Sequence, residues 1–165
     1  MTLHIVLDSV PLGVLINPKP NPEVIAITQW MRACIAAGHP FYLPEVIDYE
    51  IRRELIRIGS KQSLAKLDAL KNSLSYLPLT TDTMLTAADL WASSRNSGVS
   101  TGDPKKLDVD VILCAQAMTF EKSYDNIIVP NTMLVITSER AIIATSNVKH
   151  ISRFFEADEW QNIKP

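Results

Sequence analysis

The sequence predicts an α/β fold, a three-layer α/β/α sandwich around a mainly parallel central sheet. Two observations carry this. Short runs of β-compatible apolar residues without polar alternation, such as Leu3 to Leu7, fit strands covered on both faces. Between them lie longer stretches with apolar residues at helical spacing, and strands alternating with helices define a parallel sheet. Right-handed crossovers then put helices on both faces. The 165 residues suffice for a single domain, 1–165, with a real core.

The elements follow in order. Leu3 to Leu7 is a strand that ends at Asp8-Ser9. Pro11 to Ile16 reads as one helical turn, and three prolines make Asn17 to Pro22 a loop. Glu23 to Ala37 is a helix carrying Ile27, Trp30, Met31 and Cys34, stopped by Gly38. Pro40 to Leu43 is a second strand. Pro44 opens a helix to about Ile58, Gln62 to Ser73 is another, and Tyr76 to Leu79 is a third strand. Thr80 or Thr81 caps a helix through Ser94.

After a loop from Asn96 to Lys106 comes Leu107 to Met118, two acids at its head and then an almost unbroken apolar run, which reads as a helix buried on most sides. The remaining β-like runs are Asn126 to Pro130, Met133 to Thr137 and Ala141 to Thr145. They are too close together for a helix between each, so at least one is an edge or irregular piece. Phe154, Phe155 and Trp160 are expected to close the core.

The composition excludes several classes. A net charge of −2 gives no global attraction to nucleic acid, so any polyanion site must be a local basic patch or depend on bound cations. No apolar stretch approaches the roughly 20 residues of a membrane span. No secretory leader is apparent. Cys34 and Cys114 read as buried thiols, and the expected compartment is the cytoplasm.

Acids gather where such a sheet binds ligands, beyond the carboxyl ends of the strands at the point where the winding reverses. Asp8 ends the first strand, Glu50 lies in the early turns of the helix after the second, Asp108 and Asp110 open the apolar helix, and Asn147 follows the last apolar run. At about 100° per residue Asp110 aligns with Leu113, Cys114 and Ala117, the buried stripe, where a carboxylate needs backbone N–H groups, a basic side chain or a metal ion to answer its charge.

In this order of motifs the chain resembles the PIN-domain nucleases, including VapC-type toxins of bacterial toxin–antitoxin pairs. The resemblance spans nearly the whole length. It rests on Ile5-Val6-Leu7-Asp8-Ser9, on Pro44 to Ile51 with Glu50, on Asp110 ahead of Val111 to Ala117, and on Ala144-Thr145-Ser146-Asn147-Val148-Lys149-His150. It implies a PIN-like fold and a Mg²⁺- or Mn²⁺-dependent endoribonuclease, with Asp8, Glu50, Asp110 and Asn147 catalytic. Asp8, Glu50 and Asp110 would hold the metal. Ser9 and Asp108 would be auxiliary, and Lys105, Lys106 and Lys149, with Lys19 and Arg153, would give a positive rim for RNA phosphates. An antitoxin protein and a second copy of the chain are the expected partners.

The chemistry is consistent. Crowded carboxylates do not all ionise without a cation. Hard oxygen ligands suit Mg²⁺ or Mn²⁺, which activate a bound water and steady phosphoryl charge.

Plainer readings stand beside these roles. Asp8 caps the turn after its strand, and Asp108 is the N-cap of its helix. In one helix Asp108 and Asp110 would project about 200° apart. Glu54 rivals Glu50 on the same side of its helix, but Glu50 lies nearer the helix start. Arg52, Arg53 and Arg57 pair with Asp48 and Glu54 on a solvated face. Thr137-Ser138-Glu139 is a second register for the strand end, with Glu139 as the fourth acid in place of Asn147. His4 is a satisfied core histidine, His39 a turn residue and His150 a structural or rim residue. A non-catalytic module of the same fold, binding RNA or a protein, is favoured by the missing fourth acid. A phosphatase is not, because Asp8-Ser9-Val10 lacks the Asp-x-Asp motif.

Overall fold

The computed structural model describes residues 2–98, 104–125 and 139–165, without the side chains of 104–107, 124 and 125. Five parallel strands form one sheet in the order β3-β2-β1-β4-β5, flanked by helices. They are β1 (Leu3–Leu7), β2 (Phe41–Pro44), β3 (Ser75–Leu77), β4 (Arg140–Ala144) and β5 (Ala157–Asp158). The helices are α1 (Ser9–Leu15), α2 (Pro22–Ala36), α3 (Glu45–Arg57), α4 (Lys61–Ser73), α5 (Thr81–Asn96), α6 (Pro104–Asp125) and α7 (Val148–Ile151).

The chain winds outward from β1 through β2 to β3, returns to the other side of β1 and continues to β5. The winding therefore reverses between β1 and β4, which pair in register from Leu3↔Arg140 to Leu7↔Ala144. Ile5, Val6 and Leu7 face Ile142, Ile143 and Ala144 here, and all are buried. Their unalternating apolar character is what a strand covered on both faces requires.

Several elements differ from the expected bounds for identifiable reasons. The single turn at Pro11 is a full helix, α1, because Asp8 caps it and accepts a hydrogen bond from the Ser9 N–H. Pro44 is the N-cap of α3 and not its first residue. Thr80, not Thr81, caps α5 by accepting from the Thr83 N–H. The apolar helix α6 starts at Pro104, where proline's fixed φ suits a first turn, so Asp108 is inside the helix and is not its cap. Lys105 and Lys106 likewise belong to this first turn and not to a loop.

β5 and α7 are too short for a periodicity signal. Asn126 to Pro130 and Met133 to Thr137 lie outside the described residues. Phe154, Phe155 and Trp160 pack against the core as expected, and Trp30 fixes the tail by donating its indole N–H to the Ile163 carbonyl at 2.8 Å.

Two buried polar side chains tie the carboxyl ends of the strands together. Gln116 of α6, 2% exposed, donates to the Leu77 carbonyl (2.7 Å) and accepts from the Val46 N–H (3.4 Å), so one amide serves the end of β3 and the start of α3. Asp48 is also buried, at 3% exposure, which corrects its expected place on a solvated face. It accepts from Arg52 Nε (2.9 Å) and from the Tyr76 hydroxyl (3.1 Å), with Lys71 Nζ at 3.7 Å, and Arg52 reaches on to Asp68. Burial, then the charge of Asp48 and the hydrogen bond to it, hold the Tyr76 phenol well above its ordinary pKa. Glu54 behaves as expected, exposed and paired with Arg57.

Asp48→Ala should lower stability by about 2–4 kcal/mol, because Arg52 and the Tyr76 hydroxyl lose their common acceptor. Glu54→Ala, on a solvated pair, should leave the urea midpoint unchanged. Equal shifts would contradict the assignment of Asp48 as the buried node. His4 supplies a pH test. Burial outweighs the Glu139 carboxylate 3.5 Å away and holds the ring below its ordinary value of 6.5. The unfolded chain then takes up the proton first, so this contribution to stability is complete above pH 6.5 and declines as pH falls below it. His4→Gln should flatten that decline in thermal melts.

Candidate functional site

The site is built at the reversal between β1 and β4. Asp8 follows the last residue of β1 and is 7% exposed, its carboxylate held by two neutral donors. The Ser9 N–H reaches Oδ1 at 2.6 Å, and the Thr145 hydroxyl, one residue past β4, reaches Oδ2 at 2.5 Å. These bonds fix the carboxylate without cancelling its charge. Asp8 is thus both the cap of α1, the plainer reading, and a fixed anion at the crevice.

Thr145 also accepts from the backbone N–H of Asn147 at 2.8 Å, which turns the chain toward α6. The Asn147 amide then meets Asp110 Oδ2 at 3.5 Å. Asp8, Thr145, Asn147 and Asp110 form one connected arc. Asp110 stands half-exposed in the second turn of α6, above Leu113, Cys114 and Ala117, which are fully buried. The Cys114 thiol lies beneath the arc. Burial first, then the charges of Asp110 and of Asp8, push its pKa far up and keep it neutral. The bonds through Thr145 and Asn147 place the two carboxylates on the same patch.

The other expected residues are distributed unevenly. Glu50 is half-buried on α3, one turn past the buried Val46 and Ile47. Among the described residues no three of His, Cys, Asp and Glu form a group able to hold a metal ion. Asp8 and Asp110 are brought together, and Glu50 does not complete such a trio with them. Asp108 is exposed and lines a groove of about 320 Å³ between α5 and α6, with Met84, Ala87 and Trp91. It projects away from Asp110 because both sit in one helix.

Ser9 reaches Asp8 through its backbone. Lys149 is exposed two residues beyond Asn147, as is Arg153 further on. The side chains of Lys105 and Lys106 lie outside the described residues. Glu139 stands at the amino end of β4, facing His4, and so at the opposite end of the sheet from Asp8. Of the two registers, Asn147 is the one at the crevice. His150 is half-buried, with its Nδ1 enclosed and without a hydrogen-bond partner.

Thr145 was not singled out in the sequence, although it lay inside a quoted motif. Its signal is positional, since a hydroxyl directly after the strand that pairs with β1 must face the group directly after β1.

The all-parallel sheet with an acidic pair at its winding reversal is an α/β arrangement whose particular fold the comparisons identify as PIN-like. No family model matches the sequence, and no characterised protein matches it at the sequence level. Solved structures do match in shape. A chain of VapBC2 from Rickettsia felis, bound to a promoter DNA fragment, superposes with a TM-score of 0.65 at 14% identity, covering 96% of this chain and 99% of that one. VapBC-1 from nontypeable Haemophilus influenzae gives 0.64 at 14%, covering 98% and 100%. DNA-bound VapBC from Salmonella typhimurium gives 0.61 at 16%, covering 96% and 99%. The likeness extends over nearly the full length of each chain and establishes the fold.

Thr145→Val should cost about 1–3 kcal/mol, because it leaves a buried carboxylate oxygen without its donor, while Thr145→Ser should keep most of the native stability. Denaturant titration of the two variants distinguishes this bond from simple packing, which would penalise Ser more than the nearly isosteric Val.

Proposed function

We propose that this chain is a metal-dependent endoribonuclease and the toxin of a toxin–antitoxin pair. One observation carries the reading: Asp8 and Asp110 converge with Asn147 at the winding reversal of a fold shared with VapBC chains. The donor set suits a hard cation. Two carboxylates with the remaining positions left to water and substrate phosphate is the usual arrangement for Mg²⁺. Asp8 and Asp110 would hold Mg²⁺ or Mn²⁺, with Glu50 joining through water. The cation supplies a water of lowered pKa and charge stabilisation at the phosphoryl group.

The chain's own residues do the positioning. Thr145 and the Ser9 N–H fix Asp8, and Asn147 orients Asp110. Lys149 and Arg153 stand exposed beyond Asn147 to meet phosphates, and Lys105 and Lys106 are assigned the same role. Single-stranded RNA is the natural substrate, because its backbone and bases are accessible. An antitoxin protein and a second copy of the chain are the proposed partners, by analogy with the VapBC assemblies. No described helix is long and apolar enough to cross a membrane.

A second reading, a PIN-fold module that binds RNA or protein without cutting, is favoured by the neutral Asn147 and by the lack of a metal-holding trio among the described residues. Labelled RNA separates the two. Cleavage should require Mn²⁺ or Mg²⁺ and stop with chelator. Asp8→Asn and Asp110→Asn should each reduce it on the order of a hundredfold or more, the scale of several kcal/mol of charge stabilisation, and should weaken Mn²⁺ binding in calorimetry. Parent-like cleavage by both variants would sink the assignment. RNA binding without cutting would support the module.

A further inference from the structure

Beside Thr145 lies a small cleft of about 120 Å³, between the start of α1, the start of α2 and the segment after β5. Val10, Pro11 and Trp160 give it an apolar side, and Thr145, Ser146, Glu23, Glu159 and Gln161 a polar one. It shares with the acidic site Thr145, whose hydroxyl bonds the Asp8 carboxylate, so the two lie next to each other. The catalytic reading makes no use of this cleft.

Its lining is mixed. Trp160 is half-buried and held from behind by Trp30, with ring centroids 5.5 Å apart, so the indole is a rigid wall. Glu23 and Glu159 are exposed carboxylates, acceptors only when ionised. Ser146 and Gln161 supply donors as well as acceptors. A lone cation would leave those donors without use, and a phosphate would meet two like charges. A planar base with two adjacent N–H donors and a carbonyl uses the whole set. Guanine has this pattern on its Watson–Crick edge, whereas uracil offers one N–H between two carbonyls.

We propose that this cleft is a base subsite for a guanine next to the bond to be cut, with Trp160 as the stacking wall and Glu159 and Glu23 as acceptors. The proposal rests on the ribonuclease reading and assigns its sequence preference. Single-stranded RNA is commonly read this way, by aromatic stacking and hydrogen bonds to the base edge.

The test uses the full chain in chelator, where cleavage is stopped, and fluorescence anisotropy with labelled tetranucleotides that differ only in one G, A, C or U. The G-containing strand should bind on the order of tenfold more tightly than the U-containing one. Glu159→Gln should remove most of that preference while melting temperature and Mn²⁺ binding stay at parent values. Trp160→Phe, which keeps a wall against Trp30, should weaken all four strands and preserve their order. Equal affinity for all bases, no detectable binding of any strand, or an unchanged preference in both Glu159→Gln and Glu23→Gln overturns the subsite. So does displacement of RNA by an arginine-rich peptide with no base effect, which would assign the cleft to a protein's basic side chain. Metal-dependent cleavage that persists without base preference rejects the subsite alone. Loss of all cleavage in the parent rejects the ribonuclease reading beneath it.

Discussion

The bond from the Thr145 hydroxyl to the Asp8 carboxylate is the constraint on which the rest of the site depends. It joins the ends of β1 and β4, the two strands between which the winding reverses. At any other strand pair of this sheet a crossover would run over the gap. Here the helices leave in opposite directions, and the strand ends stay open to solvent. The buried register Leu3↔Arg140 through Leu7↔Ala144 sets where the two ends fall, so a slip of one residue would separate the hydroxyl from the carboxylate. Asp8, Asn147 and through it Asp110 inherit their positions from that register.

A parallel sheet alone does not fix the helices that carry the remaining groups. Gln116 does so for α6, by bonding both the end of β3 and the start of α3. Asp48 does so for α3 and α4, by gathering Arg52, Lys71 and Tyr76. Both are buried polar groups with geometrically demanding partners, and such groups favour one arrangement over many merely compact ones. They stand behind the crevice and not in it. The acidic arc therefore belongs to a frame held by hydrogen bonds on one side and by the apolar stripe of α6 on the other.

How much of this was legible follows from range. The strands and helices were readable because their burial is written in local apolar spacing, as in Leu3 to Leu7 and in Leu113, Cys114 and Ala117. Asp110 was readable for the same reason, as an acid in line with a buried stripe. The start of α6 was misread because the acids at 108 and 110 gave a stronger cap signal than the proline four residues earlier. Gln116 is invisible as a buried node, since its partners lie 39 and 70 residues away, whereas the pairing of Asp48 with Arg52 is local and only its burial, shared with Tyr76 28 residues away, is not. Between Glu139 and Asn147 the sequence favours Asn147 only through the His150 and Phe154 that follow it. Only the pairing of β4 with β1 puts one at the amino end of the sheet and the other at the carboxyl end.

The electrostatics of the arc explain why it is a site and not merely a cap. A carboxylate whose only task is to end a strand is adequately served by the Ser9 N–H and a hydroxyl. Asp110 stands on the same patch, and the Cys114 thiol beneath is driven further from ionisation by each carboxylate. Those two donors to Asp8 are neutral, and Asn147 brings an amide in place of a fourth charge. Two acids held in this way, with α6 packed behind one and β1 behind the other, suit the cation-binding role we propose for this surface.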